Sequence, residues 1–304
     1  MSLSIKSIDA KGLSANACAI CTHTFFSPVH KIDEKRTAMR CDNCKLVQLI
    51  PRPLKIHVDA LYSDEVEDFG PYIDTTSAHQ TYFERKMQEI SSYAHRGKGR
   101  PRLLDIGCAT GIGMEEAKRE GFEAEGLEVS HFACRVCQKK GLRVFQGTVE
   151  DGIQKKKVKK NSYDVVVVFE VIEHMYDPVR TFGNIYSLMK KNGYLFLTTP
   201  NHKSLWRRLM GKWWVGYRHP EHLYFFDETS LAALLTNTGF DIIEMRKDDA
   251  RIFPLSYTLI RAGDYLPFIS GILRALGKYL KAGNWNTPVN PWENIFVVAV
   301  KKNI

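Results

Sequence analysis

The amino-acid sequence predicts an α/β fold in which helices cover both faces of a mostly parallel sheet, preceded by a small cysteine-rich module. Segments with strand and helix patterns alternate through most of the chain, which is typical of parallel sheets with helical crossovers. The run "YDVVVVFE", Tyr163 to Glu170, is almost continuously apolar, as expected for a central strand buried on both faces. Two C-x-x-C pairs mark the first sixty residues.

Hydrophobic periodicity predicts the individual elements. A first helix is expected over Thr81–Arg96. The seven predicted strands are "RLLDIG", "EAEGLEV", "RVFQG", "YDVVVVFE", "YLFLTTP", "FDIIEMRK" and "NIFVVAVKK". The helices between them are predicted over Ile112–Glu120, His131–Lys140, Asp177–Lys190 and Glu228–Thr236. This order predicts a seven-stranded sheet.

The cysteine spacing and the alternation suggest two units. We expect a zinc-ribbon-like module over residues 1–60 and a larger α/β domain over residues 61–304. Two insertions, at about 201–227 and 249–293, interrupt the alternation. Long insertions in compact domains commonly act as lids or binding elements, so both are candidates to cover a ligand.

The composition is that of an ordinary globular protein, with 44% apolar and 25% charged residues. The start "MSLSIKSIDAKG" lacks the apolar stretch of a signal peptide, and we expect a cytoplasmic protein. The net charge of +9 favours an anionic partner, such as nucleic acid, a phosphorylated small molecule or an acidic membrane surface. A basic surface that contacts only solvent is the alternative.

The two C-x-x-C pairs are Cys18–Cys21 and Cys41–Cys44. Pairs with this separation can bring four thiolates to one tetrahedral Zn²⁺ ion. A module this short has little core of its own, so the metal would supply folding free energy. The alternative is four reduced cysteines without a ligand in a loop-rich arm.

The stretch "LLDIGCATGIG", Leu103 to Gly113, predicts a ligand site. Ligands of open parallel sheets bind beyond the carboxyl ends of the strands, where Asp105 is expected. Gly107 and Gly111 allow a sharp turn and a close approach of the backbone to a ligand. Glu128 ends the next strand, where a carboxylate can accept hydrogen bonds from ribose hydroxyls. An ordinary nucleotide-binding fold, with Asp105 as a structural cap, is the alternative.

These segments together resemble class I S-adenosylmethionine-dependent methyltransferases. The glycine-rich bend resembles their motif I, D/E-x-G-x-G-x-G, with Ala109 in place of the middle glycine. The segments "FEVIEHMYDP", "LMKKNGYLFLTTPN" and "HLYFFDETSLAALLTNTGF" resemble "EVLEHVxDP", "LKPGGxLxxxTPN" and "HLYFFSxESLxxLLxxAGF" of ubiquinone-type and sugar-methylating enzymes. The motifs occur in family order between Leu103 and Phe240.

The resemblance implies a Rossmann-like sheet, S-adenosylmethionine as cofactor and a small-molecule acceptor. The implied cofactor-binding residues follow the strand ends and are Asp105, Gly107, Cys108, Ala109, Gly111, Glu128, Val129, Thr148, Val149, Glu150, Phe169, Glu170 and His174. The segment "CDNCKLVQLIPRPLKIHVDALYSDE" also resembles the zinc-binding N-terminal region of sugar C-methyltransferases.

Methyl transfer requires an acceptor aligned with the sulfonium methyl group, and some acceptors must also lose a proton. The candidate catalytic residues are Glu221, His222 and His174. In sugar C-methyltransferases, a Glu-His pair in this region is implicated in proton abstraction beside a ketone. Alternatively, His222 anchors the loop and His174 makes a structural hydrogen bond. Tyr62 and Tyr72 are candidates for the tyrosine that those enzymes also use.

We therefore expect a methyltransferase for a small molecule, such as a sugar or a lipid or saccharide precursor. Arginine and tryptophan in the first insertion suit a phosphorylated or glycosylated acceptor. The alternatives are a zinc-ribbon RNA methyltransferase and a non-catalytic zinc-ribbon binding protein, but "FEVIEH" in place of N/D-P-P-Y argues against nucleic acid. The second insertion is apolar and fits either a lid or an amphipathic element at a membrane surface. The sequence predicts no oligomeric state.

Overall fold

The alternation of strands and helices is present in the computed structural model, which describes residues 17–34, 36–60, 76–94, 99–265, 270–279, 286–289 and 293–302. The strands are β1 (Phe26–Lys31), β2 (Thr37–Cys41), β3 (Val47–Ile50), β4 (Arg102–Ile106), β5 (Glu123–Glu128), β6 (Arg143–Gln146), β7 (Tyr163–Phe169), β8 (Met189–Thr199), β9 (Tyr224–Phe225), β10 (Phe240–Lys247), β11 (Arg251–Pro254), β12 (Asn286–Val289) and β13 (Ile295–Lys301). The helices are α1 (Lys55–Ala60), α2 (Thr76–Ala94), α3 (Ile112–Arg119), α4 (His131–Lys139), α5 (Val149–Gln154), α6 (Pro178–Leu188), α7 (Leu205–Met210), α8 (Val215–Arg218), α9 (Glu228–Asn237), α10 (Leu255–Tyr265) and α11 (Ser270–Tyr279).

The central sheet has seven strands in the order β10-β13-β8-β7-β4-β5-β6. Strands β4 to β8 pair in parallel, and β13 pairs antiparallel with both β8 and β10. The predicted α/β fold with a mostly parallel seven-stranded sheet is confirmed. The four valines of β7 are fully buried because the strand lies inside the sheet with side chains packed on both faces.

Helix capping fixes the chain where it leaves the carboxyl ends of the strands. Ser130 caps α4, and Asp177 caps α6, which begins with Pro178. Thr148 and Asp227 form capping boxes at α5 and α9. These caps satisfy backbone N–H groups at one edge of the sheet, and they give the loops between them defined paths.

The N-terminal module extends further than its cysteine pattern predicts. Strands β1, β2 and β3 form an antiparallel sheet, and β3 also pairs with β9 through Val47–Phe225 and Gln48–Tyr224. Strand β9 belongs to the insertion predicted as a lid over residues 201–227. The end of that insertion therefore completes the sheet of the cysteine-rich module. The sequence did not reveal this pairing because two-residue strands have no periodicity.

The second insertion forms a β11–β12 hairpin and the helices α10 and α11. Helix α2 contacts both β11 and α3, so the hairpin lies beside the first helix of the α/β domain. Among the described residues, no helix combines the length and the apolar character required to cross a membrane.

Candidate active site

The bend after β4 is held tightly against its neighbours. Gly107 has φ +74°, and its N–H donates to the carbonyl of Leu127 at 2.8 Å. A Cβ at Gly107 would lie 2.3 Å from Cγ2 of Val171, so any side chain there would clash. Gly111 has φ +81°, and a Cβ there would lie 2.4 Å from Leu142. Both glycines are therefore required by backbone conformation and by close packing.

The bend that follows β4 lies next to the carboxyl end of β5. The backbone N–H of Ala109, whose φ is +47°, donates to Oε2 of Glu128 at 2.9 Å. The backbone N–H of Ser130 donates to the other oxygen at 2.9 Å. Cys108 packs beneath the bend against Gly126. A buried carboxylate thus lies beside a turn in which Gly107 and Ala109 are half-buried, the juxtaposition that an adenosyl group would require.

Asp105 lies near the end of β4 and is almost fully buried. Burial, with the nearby negative charge of Glu128, raises the pKa of Asp105 to about 7. Gly113 leaves space for this side chain, because a Cβ there would lie 3.2 Å from Oδ2 of Asp105. A carboxyl group with this pKa would become a stronger acid once a cationic ligand group binds beside it.

Four of the predicted cofactor-binding residues, Val129, Thr148, Val149 and Glu150, follow strands β5 and β6. Val129 is exposed, whereas Val149, the first residue of α5, is buried. Thr148 is committed to capping α5 through Asp151. The carboxylate of Glu150 accepts hydrogen bonds from Thr181 and Asn184 on α6, at 2.9 and 3.0 Å. Glu150 thus already binds α6, and its contact with the cofactor stays a prediction.

The loop after β7 has an unusual backbone conformation. Glu170 has φ +56°, its N–H donates to Thr198, and its carboxylate accepts a hydrogen bond from the Asn294 side chain at 2.6 Å. Phe169 packs near Phe83 of α2, with ring centroids 6.1 Å apart. Asn294 precedes the antiparallel strand β13, and no motif in the sequence indicated its position beside Glu170.

Three histidines and two glutamates cluster between the β7 loop and the 201–227 insertion. The ring centroids of His174 and His222 are 4.8 Å apart, and those of His219 and His222 are 4.9 Å apart. Nδ1 of His219 lies 2.8 Å from Oε1 of Glu221. The structure therefore brings together the three predicted catalytic residues, and it adds His219, which the motif "HPEHLYFF" contains.

Burial keeps the rings of His174 and His222 neutral at physiological pH. It lowers the pKa of His174 to about 3 and that of His222 well below its usual value. Nδ1 of His222 lies 2.9 Å from the carbonyl of Gly216, which can only accept. Nδ1 therefore carries the proton, and Nε2 of the neutral ring carries the lone pair.

The two glutamates of the cluster differ in charge. Burial opposes ionisation of Glu221, but the hydrogen bond and charge of His219 outweigh it and lower its pKa. Burial raises the pKa of Glu173 to about 8, and its carboxyl group is hydrogen-bonded to Thr199 at 3.0 Å. The N-cap residue of α6 is Asp177, so the Glu173 carboxyl group has no capping role at that helix. The site thus contains one ionised and one largely protonated carboxyl group at neutral pH.

The N-terminal module contacts the segments that carry this cluster. Arg52 lies over the ring of Tyr176 at 4.5 Å and donates to the Tyr176 carbonyl and to the Tyr224 hydroxyl, at 3.3 and 3.2 Å. The Tyr224 hydroxyl donates to the same carbonyl at 2.9 Å. The residue before β9 is Leu223, and its N–H donates to the Glu173 carbonyl. Strands β3 and β9 therefore support the loop that carries His174.

The four N-terminal cysteines converge. The sulfur of Cys18 is 3.3 Å from that of Cys44, and the sulfur of Cys21 is 3.5 Å from that of Cys41. All four lie within 4.8 Å of one another. In a tetrahedral zinc site with Zn–S bonds of about 2.3 Å, sulfurs are about 3.8 Å apart, so the spacing fits. The hydrogen bond from Cys18 lowers the pKa of Cys44 to about 5.

Comparison with known families decides the class of protein. Residues 57–245 match the family model described as "Methyltransferase domain" (Methyltransf_23). The chain belongs to this methyltransferase family. It is an S-adenosylmethionine-dependent methyltransferase that acts on a small molecule, as the resemblance of the motifs implied. Tyr62 and Tyr72 lie outside the described residues.

Two relatives illustrate the similarity of this methyltransferase to enzymes of known class. It is 30% identical over 169 residues to the ubiquinone biosynthesis O-methyltransferase of Burkholderia vietnamiensis, covering 52% of this chain and 71% of the relative. It is 27% identical over 165 residues to the enzyme of that name from Yersinia enterocolitica, covering 43% and 67%. A solved S-adenosylmethionine-dependent methyltransferase from Thermotoga maritima has the same fold, with a TM-score of 0.52, 18% identity, and coverage of 81% of this chain and 100% of that one.

Proposed function

We propose that this methyltransferase methylates a sugar or saccharide-precursor acceptor, with His222 as the base that removes the acceptor's proton. The observation that carries the proposal is the contact between Nδ1 of His222 and the Gly216 carbonyl, from which the tautomer of the ring is inferred. Its Nδ1 is bonded to the Gly216 carbonyl, so Nε2 is the basic nitrogen. The ionised Glu221 lies beside the ring, and its negative charge would stabilise the cation formed when Nε2 takes up a proton.

The cofactor is assigned to the cradle formed by the β4 bend and Glu128. When bound there, S-adenosylmethionine supplies an electrophilic methyl group. We propose that Glu128 exchanges its hydrogen bond with Ala109 for bonds from the ribose hydroxyls. The partly protonated Asp105 would ionise beside the ammonium group of the methionine portion. His174, anchored by its hydrogen bond to the Glu221 carbonyl, would line the space between cofactor and acceptor.

We further propose that Cys18, Cys21, Cys41 and Cys44 bind one structural Zn²⁺ ion. The convergence of their four sulfurs supports a thiolate site. The ion would hold the module against β9 and would take no part in the reaction. None of the seven cysteines forms a disulfide, which suits a reducing compartment and supports a cytoplasmic location.

A second candidate acceptor is a phenol or catechol. The names of the relatives favour it, because both are ubiquinone biosynthesis O-methyltransferases. A phenolic proton can also be removed by a neutral histidine, so the same cluster would serve either acceptor.

The test is transfer of a labelled methyl group to three acceptor panels: nucleotide sugars, quinol precursors and RNA. Methylation of a nucleotide sugar, lost in His222→Ala, is expected. Methylation of quinol precursors alone would select the second candidate, and methylation of RNA alone would overturn both. Metal analysis of the native protein is expected to give one zinc per chain, and a chain without zinc would remove the metal proposal.

A further inference from the structure

The segment that follows β8 presents large apolar side chains to solvent. Four of them are well exposed: Leu205 (59%), Trp206 (48%), Leu209 (69%) and Trp213 (49%). Neither α7 nor the short 3-10 helix at Gly211–Trp213 contains a buried residue. Scattered exposed leucines are ordinary, but four large apolar side chains within nine residues indicate an interaction surface. We call residues 205–213 the apolar surface segment.

The segment is held in place by its neighbours. Ser204 caps α7 through the N–H of Arg207, and the N–H of Leu205 donates to Glu293. On the other side, Trp214 is buried with Val47 and Leu49 of the cysteine-rich module. The exposed tryptophans therefore project from a segment anchored at both ends.

The charged side chains within and next to the segment in sequence are basic, and its acidic spatial neighbours Asp227 and Glu293 are paired with Lys203 and Lys247. Between Asn201 and Pro220 the sequence contains no aspartate or glutamate, and its basic residues are Lys203, Arg207, Arg208, Lys212 and Arg218. Arg208 and Lys212 are exposed among the apolar side chains. Exposed tryptophan and leucine interspersed with lysine and arginine are suited to the interface of an anionic bilayer, where the apolar groups enter the boundary layer and the cations meet lipid phosphates.

We propose that the apolar surface segment docks this protein on an anionic membrane surface. A bilayer fits better than nucleic acid, because bases and phosphates offer no apolar phase for Leu205 and Leu209. The segment begins six residues after β8 ends, at the carboxyl edge of the sheet. Docking would therefore place the bilayer on the side of the active site, in reach of an acceptor carried in the membrane. The proposal does not depend on which acceptor is methylated.

A second apolar row lies on α11 in the 249–293 insertion. Ile272, Leu276 and Tyr279 are exposed and are spaced by four and three residues, so they share one face of the helix. This row fits the amphipathic alternative predicted for the insertion, and it provides a separate variant for the test.

The test is co-sedimentation of the full chain with vesicles. Wild-type protein is expected to bind vesicles of phosphatidylcholine with phosphatidylglycerol, and to bind phosphatidylcholine vesicles at least tenfold more weakly. The double variant Trp206→Ser and Trp213→Ser should lose at least tenfold in binding to the anionic vesicles. Ile243→Ser, which removes an exposed side chain from β10, is the matched control and should bind like wild type. All variants should keep their affinity for S-adenosylmethionine, which shows that they fold.

Three results would overturn the proposal. The first is that wild type does not bind anionic vesicles. The second is that the double tryptophan variant binds anionic vesicles as well as wild type. This includes the case in which the tryptophan variant binds normally and the double variant Ile272→Ser and Leu276→Ser does not bind. The third is that light scattering shows a dimer that the tryptophan variant dissociates, since the segment would then contact a second copy of the chain.

Discussion

The candidate active site has two parts, which are assembled differently. We call the β4 bend with Glu128 the cofactor edge, and the histidine cluster the acceptor edge. Gly107, Ala109 and Glu128 belong to one β–α–β unit, and the contacts among them are made by backbone groups and one carboxylate. The acceptor edge takes His174 from the β7 loop, Glu221 and His222 from an insertion, and support from Arg52 of the N-terminal module. The first edge is local in sequence, and the second exists only when three distant segments pack together.

This difference predicts a separation of effects. Changes at the cofactor edge should alter binding of S-adenosylmethionine or the stability of the domain. Changes at the acceptor edge should alter the rate of methyl transfer while the cofactor still binds. Variants that mix the two effects would show that the edges are coupled.

The largest effect is expected for His222→Ala. Loss of a general base costs about 10²–10⁴-fold in rate, and we expect kcat to fall about 10³-fold without a change in the dissociation constant of S-adenosylmethionine. The measurement is steady-state kinetics with titration calorimetry. His131→Ala, at an exposed position, is the control. A variant that retains kcat within twofold would leave His222 only the role of a loop anchor.

Gly107→Ala tests the packing of the cofactor edge. We expect it to lower the free energy of unfolding by about 3 kcal/mol, since the left-handed conformation costs about 1 kcal/mol and the clash with Val171 adds to it. Gly141→Ala is a matched control, because Gly141 has φ +68° and open space around it. It should lose only about 1 kcal/mol in denaturant unfolding. Equal losses would show that the contact with Val171 is unimportant.

Asp105→Asn tests the electrostatics of the same edge through pH. The pKa of Asp105 in the folded chain, about 7, lies above its ordinary value, so the folded state holds this proton more tightly than the unfolded state. The carboxylate therefore reduces stability progressively as pH rises from about 4 to about 7. Relative to wild type, the variant should gain up to about 4 kcal/mol across that window and then level off. The difference in unfolding temperature between the variant and wild type is the measurement. If that difference does not change with pH, the raised pKa of Asp105 is refuted.

Arg52→Ala gives the smallest expected effect and addresses how the edges are supported. Loss of its two hydrogen bonds and its contact with Tyr176 should lower kcat about tenfold, with unchanged affinity for S-adenosylmethionine. Arg36→Ala, in the same module but paired with Asp33 in a turn, should have no effect on kcat. Weakened cofactor binding in Arg52→Ala would mean that the module supports both edges.

The same contrast explains what the sequence could predict. The glycines and Glu128 act through neighbours in the same bend or in the next strand, so motifs located them. The strand from Met189 begins earlier than predicted because Met189 pairs with Tyr163, a contact between strands that periodicity does not encode. The roles of Arg52, Asn294 and β9 depend on packing between distant segments, for which a single sequence carries no local signal.

The histidine cluster lies between these cases. Its residues were predicted from the motifs "EVIEH" and "HPEHLYFF", which stand 44 residues or more apart in the chain. Two separate contacts bring the two motifs together. Strand β9 pairs with β3, and the N–H of Leu223 donates to the Glu173 carbonyl. Neither contact could be read from the motifs themselves.

The central claim is that the bend at Gly107 and the carboxylate of Glu128 form one cradle for S-adenosylmethionine. Titration calorimetry of wild type, Glu128→Gln and the exposed control Glu123→Gln tests it most directly. We predict that wild type and Glu123→Gln bind S-adenosylmethionine equally, and that Glu128→Gln binds it about 50-fold more weakly, the loss expected for hydrogen bonds to a charged group. Equal affinity in all three proteins would contradict the account.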